Sequence, residues 1–172
     1  NIGTFAVCCF LHGATAACYE PVESCFKLLK KNVPWKGFKL VQSAITAKKE
    51  KTLPAWESKN PLNFYRTTIV PTDAYQQCPD IPNIYAGTLI GDYDGIKMDI
   101  EGSELELIDK GLIPDAKKLA LEYHFSRDNK DMKNFHRRMG ILRDLYKVVS
   151  YAPSLDKTKT GQYPGRFDII VH

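Results

Sequence analysis

The sequence has no apolar run long enough to cross a bilayer, no Asn-x-Ser/Thr acceptor, no Cys-x-x-Cys pair and no Gly-x-Gly-x-x-Gly loop. The apolar opening, Phe5 to Leu11, is far short of the ~20 residues a spanning helix needs. It has no basic residue before it and runs into His12-Gly13, so it makes a poor signal peptide and reads as a buried helix. The five cysteines, Cys8, Cys9, Cys18, Cys25 and Cys78, are odd in number and lack the spacing of a metal knuckle. Buried free thiols in a reducing, cytoplasmic compartment account for them, and the missing glycosylation acceptor agrees. The basic groups at Lys30-Lys31, Lys48 to Lys51 and Arg137-Arg138 are too short for a nucleic-acid arm, and no repeat or low-complexity tract occurs. The missing glycine loop argues against a dinucleotide enzyme such as a dehydrogenase.

The composition is that of a soluble globular chain: 172 residues, 44% hydrophobic and 26% charged, enough for a single domain over 1–172 with its own core. The net charge of +4 reads as solvated surface, with at most a mild pull on an anionic substrate. Helical apolar spacing marks Thr4 to Leu11, Val22 to Val33, a short Ser103 to Ile108 and the long Asn129 to Tyr146. Strand character marks Ala16 to Tyr19, Phe38 to Ile45, Ile96 to Ile100, Lys118 to His124, Lys147 to Ala152 and Arg166 to Val171. This alternation predicts an α/β fold with a mostly parallel sheet and helices on both faces. Residues 46–93 break the rhythm with Pro54, Pro61, Pro71, Pro79 and Pro82 and one strand candidate, Phe64 to Val70, so an insertion or lid on the acceptor side is expected.

Three clusters carry chemistry. In an open parallel sheet the ligand lies beyond the carboxyl ends of the strands, which brings Asn1-Ile2-Gly3 at the head of the first helix and Glu20 at the end of the next strand toward one crevice. The two oxygens of Glu20 match a ribose diol; equally, Glu20 caps the helix that follows Pro21, and spacing alone does not choose. In MDIEGSELE, Asp99 ends a strand and Glu101-Gly102-Ser103 turns into a helix, so two carboxylates share a rim. Ser103 there reads as an N-cap, and Glu104 and Glu106 as acids favoured in a first turn. Finally, Glu122 and His124 lie two apart on a strand and project from one face. Asp99, Glu122 and His124 could together hold one hard divalent cation, Mg or Mn.

IKMDIEGSELELIDKG resembles the signature of FkbM-type S-adenosylmethionine-dependent methyltransferases. NIGTFAVCCF and CYEPVESCFKLLKKNV are similar to that family's cofactor region, and LEYHF and the closing strands fit its layout. The resemblance implies a Rossmann-like class I sheet of seven strands, the last antiparallel, with S-adenosyl-L-methionine as methyl donor. It implies that Asn1 and Gly3 belong to the cofactor loop, Glu20 to the ribose, Pro21 and Val22 to the adenine edge, and Ser43-Ala44 to the loop beside the adenine. Asp99 and Glu101 would lie between the methionine end and the acceptor. The family pattern also has a strand and an acidic-x-Gly-Ala stretch before Asn-Ile-Gly; nothing precedes Asn1, so the first strand is expected upstream of the residues given.

The expectation is therefore an O-methyltransferase acting on a hydroxyl of a small molecule or glycan, with no nucleic-acid or membrane partner. His124 or Asp99 would serve as base, and a divalent ion bridging Asp99 and Glu122 would lower the acceptor's pKa. Trp56, Phe64 and Tyr65 of the Pro-rich middle could stack on a sugar ring, or be core, and the loop Pro153 to Gly165 with Tyr163 would complete the acceptor pocket. The alternative from another class is a non-catalytic nucleotide- or partner-binding domain that kept the sheet and lost the chemistry.

Overall fold

Apolar side chains at Cys25 and Leu29, one helical turn apart, need cover, and the chain supplies it by folding strand, helix and strand together. Strand β1 (Ala17–Tyr19) runs into helix α2 (Glu23–Asn32) and returns as β2 (Lys39–Val41), which pairs parallel with β1. Helix α1 (Thr4–Leu11) precedes them. The computed structural model describes residues 2–59, 67–69, 75–124, 130–146, 149–153 and 166–171. The chain is mixed α/β and divides into two compact units, Asn1–Tyr85 and Ala86–His172.

In the first unit Ala6, Leu29 and Val33 form a core, with Cys18, Phe26, Trp35, Phe38 and Leu40 packed against it. Phe10 stacks on Trp35 at 4.0 Å and 3°. The expectation of a buried first helix is corrected: Ala6 is the only buried residue of α1, whereas Phe5, Phe10 and Leu11 are 49%, 43% and 73% exposed. A sheet of two strands covers only one side of such a helix. The thiols are free, as expected, but Cys25 alone is buried and Cys8 is exposed.

The predicted strand Phe38 to Ile45 is in fact two. Chain direction changes at Gln42-Ser43, and β3 (Ala44–Thr46) joins a second sheet of order β3-β6-β4-β5. Its other members are β4 (Thr52–Ser58), β5 (Thr67–Thr68) and β6 (Tyr75–Tyr85). Most of the described residues of the Pro-rich middle are thus sheet, while Pro61 and Pro71 lie outside the described residues. Its described prolines sit where a missing N–H does least harm. Pro54 falls at the register shift between Leu53 and Ala55, opposite Pro79-Asp80, and β3 pairs only with Asn83 to Tyr85, beyond Pro79 and Pro82. Asn83 clamps the turn: its amide donates to the Lys48 and Glu50 carbonyls and its oxygen accepts from Thr46 Oγ1 at 2.9 Å. Of the strand candidate Phe64 to Val70, Thr67–Thr68 form β5, while 64–66 and 70 lie outside the described residues.

The second unit holds β7 (Ile96–Met98), α3 (Glu104–Asp109), β8 (Leu119–His124), α4 (Lys130–Leu145), β9 (Val149–Pro153) and β10 (Arg166–Val171). Their sheet has the order β7-β8-β10-β9. β7 and β8 are parallel, joined through α3, whereas β10 runs antiparallel between β8 and β9. Among the described residues the sheets are short, and antiparallel pairings accompany the parallel ones expected throughout. Leu107, Ile108, Leu119, Leu121, Tyr123, Phe135, Met139 and Leu142 are buried here. No described helix is long and apolar enough to cross a membrane.

Candidate functional site

Alternation along β8 sorts its side chains: Leu119, Leu121 and Tyr123 are buried, and Glu122 and His124 project from the opposite face at the strand's end. Neighbouring β7 ends at Met98, so Asp99 begins the turn that leads into α3. That turn takes two successive left-handed residues, Glu101 at φ 49° and Gly102 at φ 99°. Gly102 adopts this freely, whereas a non-glycine residue there costs about 1–2 kcal/mol. The reversal brings Glu101 back over the end of β8. His124 Nε2 then lies 3.4 Å from Glu101 Oε2, 3.5 Å from Glu122 Oε1 and 4.0 Å from Asp99 Oδ1. Lys97 is a cation at this rim, 3.7 Å from Asp99. Asp99 and Glu122 thus each lie near His124, but the three groups whose donor atoms are mutually close are Asp99, Glu101 and His124, with Glu101 where the sequence suggested Glu122.

Glu104 is the residue that sequence reasoning missed. Its position is that of a first-turn acid, but its side chain is 0% exposed. Oε2 accepts from the Gly102 N–H at 2.8 Å; Oε1 accepts from the His124 backbone N–H at 2.9 Å and faces His124 Nδ1 at 2.8 Å. In the neutral imidazole a carboxylate at that distance favours the tautomer in which Nδ1 donates, with Nε2 facing the rim. Glu104, Leu107 and Ile108 are the buried residues of α3, and their i, i+3, i+4 spacing is the sequence signal that placed Glu104 inward. Ser103 takes the N-cap position without a side-chain cap bond, so the N-cap role expected of its hydroxyl is corrected. Glu106 behaves as expected, pairing with Lys110 on the surface.

Burial pulls the imidazole of His124 toward neutrality, but the Glu104 hydrogen bond and the charges of Glu104, Glu101 and Glu122 outweigh it. The net direction of its pKa is up. Beneath the site, Tyr123 packs edge-on against Phe135 at 5.1 Å, and its hydroxyl accepts from Arg138 at 2.8 Å. Arg138 also grips Asp109 with two bonds of 2.8 and 2.7 Å, tying α4 to the end of α3 and to β8.

The candidates of the first unit have local roles of their own. Gly3, at φ 103°, is the N-cap of α1, and a Cβ there would meet Val33 Cγ2 at 2.8 Å, so α1 and α2 approach closely at this point. Glu20 is buried, and its Oε1 accepts from the N–H of Val22, the N-cap of α2. This contact closes the turn ahead of α2 and is not a cap on the helix, which has no side-chain cap bond. Pro21 and Val22 are half-buried in the same connection. Ser43 is buried with its hydroxyl donating to the Ala44 carbonyl, and Ala44 packs with Ala55 and Ile81 in the core of the second sheet. Asn1, Phe64, Tyr65, Tyr163 and the loop from residue 154 to 165 lie outside the described residues, and Trp56 is half-buried on β4. A comparison with known protein families, curated proteins and solved structures returns no match for this chain.

Proposed function

We propose that the chain is an S-adenosylmethionine-dependent O-methyltransferase of the Rossmann-like class I type, acting on a hydroxyl of a sugar or another small molecule. The observation that carries the reading is how the stretch resembling the FkbM signature folds. It forms a strand end, a sharp turn and a helix, and it brings Asp99 and Glu101 to an imidazole that buried Glu104 holds at Nδ1 with Nε2 facing them. A second support is the sheet of the same unit. The resemblance implies a last strand running antiparallel, and β10, the last strand described, runs antiparallel between β8 and β9.

Methyl transfer needs an acceptor oxygen in line with the sulfonium and a group to take its proton. The oxygen forms a bond to the methyl carbon, the carbon–sulfur bond breaks with its electron pair going to sulfur, and the acceptor proton passes to the carboxylate–imidazole cluster. His124 or Asp99 is the group at that rim proposed to receive it. Glu20 is assigned to the ribose of the donor.

The test is transfer of labelled methyl from S-adenosylmethionine to a panel of sugars and phenols. The reading expects turnover that falls at least a hundredfold in a His124→Ala/Asp99→Ala double variant. Unchanged turnover in that variant would sink the assignment. Absence of transfer to any acceptor, together with absence of cofactor binding, would favour a non-catalytic binding domain.

A further inference from the structure

We infer that Asp99, Glu101 and His124 form a binding site for one first-row divalent cation such as Mn2+, and that buried Glu104 positions the imidazole for it. One donor atom from each of the three ligands lies within 4.8 Å of the other two. Metal–ligand bonds of about 2.1 Å set neighbouring donors about 3 to 3.5 Å apart. His124 Nε2 and Glu101 Oε2 are already at 3.4 Å, and Asp99 Oδ1 is at 4.0 Å from Nε2, a gap that a small side-chain rotation closes.

Three features separate this cluster from a chance group of acids. Its members come from two local structures, the turn after β7 that holds Asp99 and Glu101 and the end of β8 that holds His124, so the fold itself converges them. One donor is an imidazole nitrogen, and its other nitrogen is held by a carboxylate that is 0% exposed, the arrangement in which metal-binding histidines are oriented and made more basic. Four carboxylates, those of Asp99, Glu101, Glu104 and Glu122, surround a single imidazole, which leaves the rim with an excess of negative charge. The set differs from the one expected from sequence in having Glu101 in place of Glu122 as ligand.

One nitrogen and two carboxylates suit a first-row transition ion, which accepts an imidazole more readily than Mg2+ or Ca2+ does. For the ion's role this rests on the methyltransferase reading: held by Asp99, Glu101 and His124, it would supply Lewis-acid assistance to an acceptor hydroxyl. The binding itself rests on the donor geometry.

The test is calorimetric titration of MnCl2, and separately MgCl2, into the full chain, with the electron paramagnetic resonance signal of Mn2+ as a second readout. One Mn2+ per chain is expected, with Mg2+ at least tenfold weaker. Asp99→Asn and His124→Gln should abolish binding, and Glu104→Gln should weaken it about ten- to a hundredfold with circular dichroism unchanged. Glu106→Gln, on the surface, should bind normally. Glu101→Gln, which removes the third ligand, should abolish binding as Asp99→Asn does. No Mn2+ binding by the folded chain, or equal binding in His124→Gln, overturns the site. Titration of S-adenosylhomocysteine in the presence of chelator separates the two ideas: cofactor binding without Mn2+ binding sinks only the cation site, and the reverse sinks only the methyltransferase.

Discussion

Replacing Asp109 by Asn should cost the second unit about 2–3 kcal/mol. Asp109 accepts two bonds from Arg138 and one of 2.6 Å from Arg137, and the Arg138 side chain is only 10% exposed. Loss of the carboxylate charge strands a buried guanidinium, which costs about 3–5 kcal/mol in a fully buried pair. The Asp109 side chain is 29% exposed, so solvent screens part of this and the smaller figure applies. Urea unfolding should show a lower midpoint with an unchanged slope. Adding Arg138→Met removes the stranded charge, so the double variant should be no less stable than Asp109→Asn alone. The Arg138 hydrogen bond holds the Asp109 carboxyl below the usual carboxylate range, against burial, which pushes it up. A lowered folded-state pKa gives stability that is present above the unfolded value of about 3.9 and is lost as the pH falls through the folded value. The gap between the natural chain and Asp109→Asn should therefore persist down to about pH 4 and close only below it. A loss under about 0.5 kcal/mol, or a double variant that loses the sum of both single changes, would refute the reasoning.

Gly3→Ala should destabilise the first unit by about 1–3 kcal/mol, read as a lower thermal midpoint, because φ 103° disfavours any side chain and the new Cβ would press on Val33. With a thiol reagent on the native chain, Cys8 should react first and Cys25 only on unfolding, as mass spectrometry of the labelled peptides would show.

The elements that the sequence revealed are those with one period and one environment. Helix α2 keeps Cys25 and Leu29 on one face and Lys30 and Lys31 at its end, and β8 alternates cleanly from Leu119 to His124. The second sheet was hidden because β6 holds its place through pairing on both edges and the Asn83 clamp, with no apolar alternation and two prolines that ordinarily argue against a strand. The break at Gln42-Ser43 was hidden because no Gly or Pro separates β2 from β3, and only tertiary pairing sends them to different sheets. Asp99, Glu122 and His124 were legible as strand-end polar residues; Glu104 was not, because an acid in a first turn is equally at home in water. Its inward turn follows from Leu107 and Ile108, which set the buried face of α3.

The most direct test of the methyltransferase reading is isothermal titration of S-adenosylhomocysteine into the chain, with NAD as control ligand. The account predicts micromolar binding of S-adenosylhomocysteine, none of NAD, and a loss of at least tenfold in Glu20→Gln, which keeps an acceptor for the Val22 N–H but not the charged pair of oxygens for the ribose. Absence of S-adenosylhomocysteine binding to the folded chain, or binding that Glu20→Gln leaves unchanged, would contradict it.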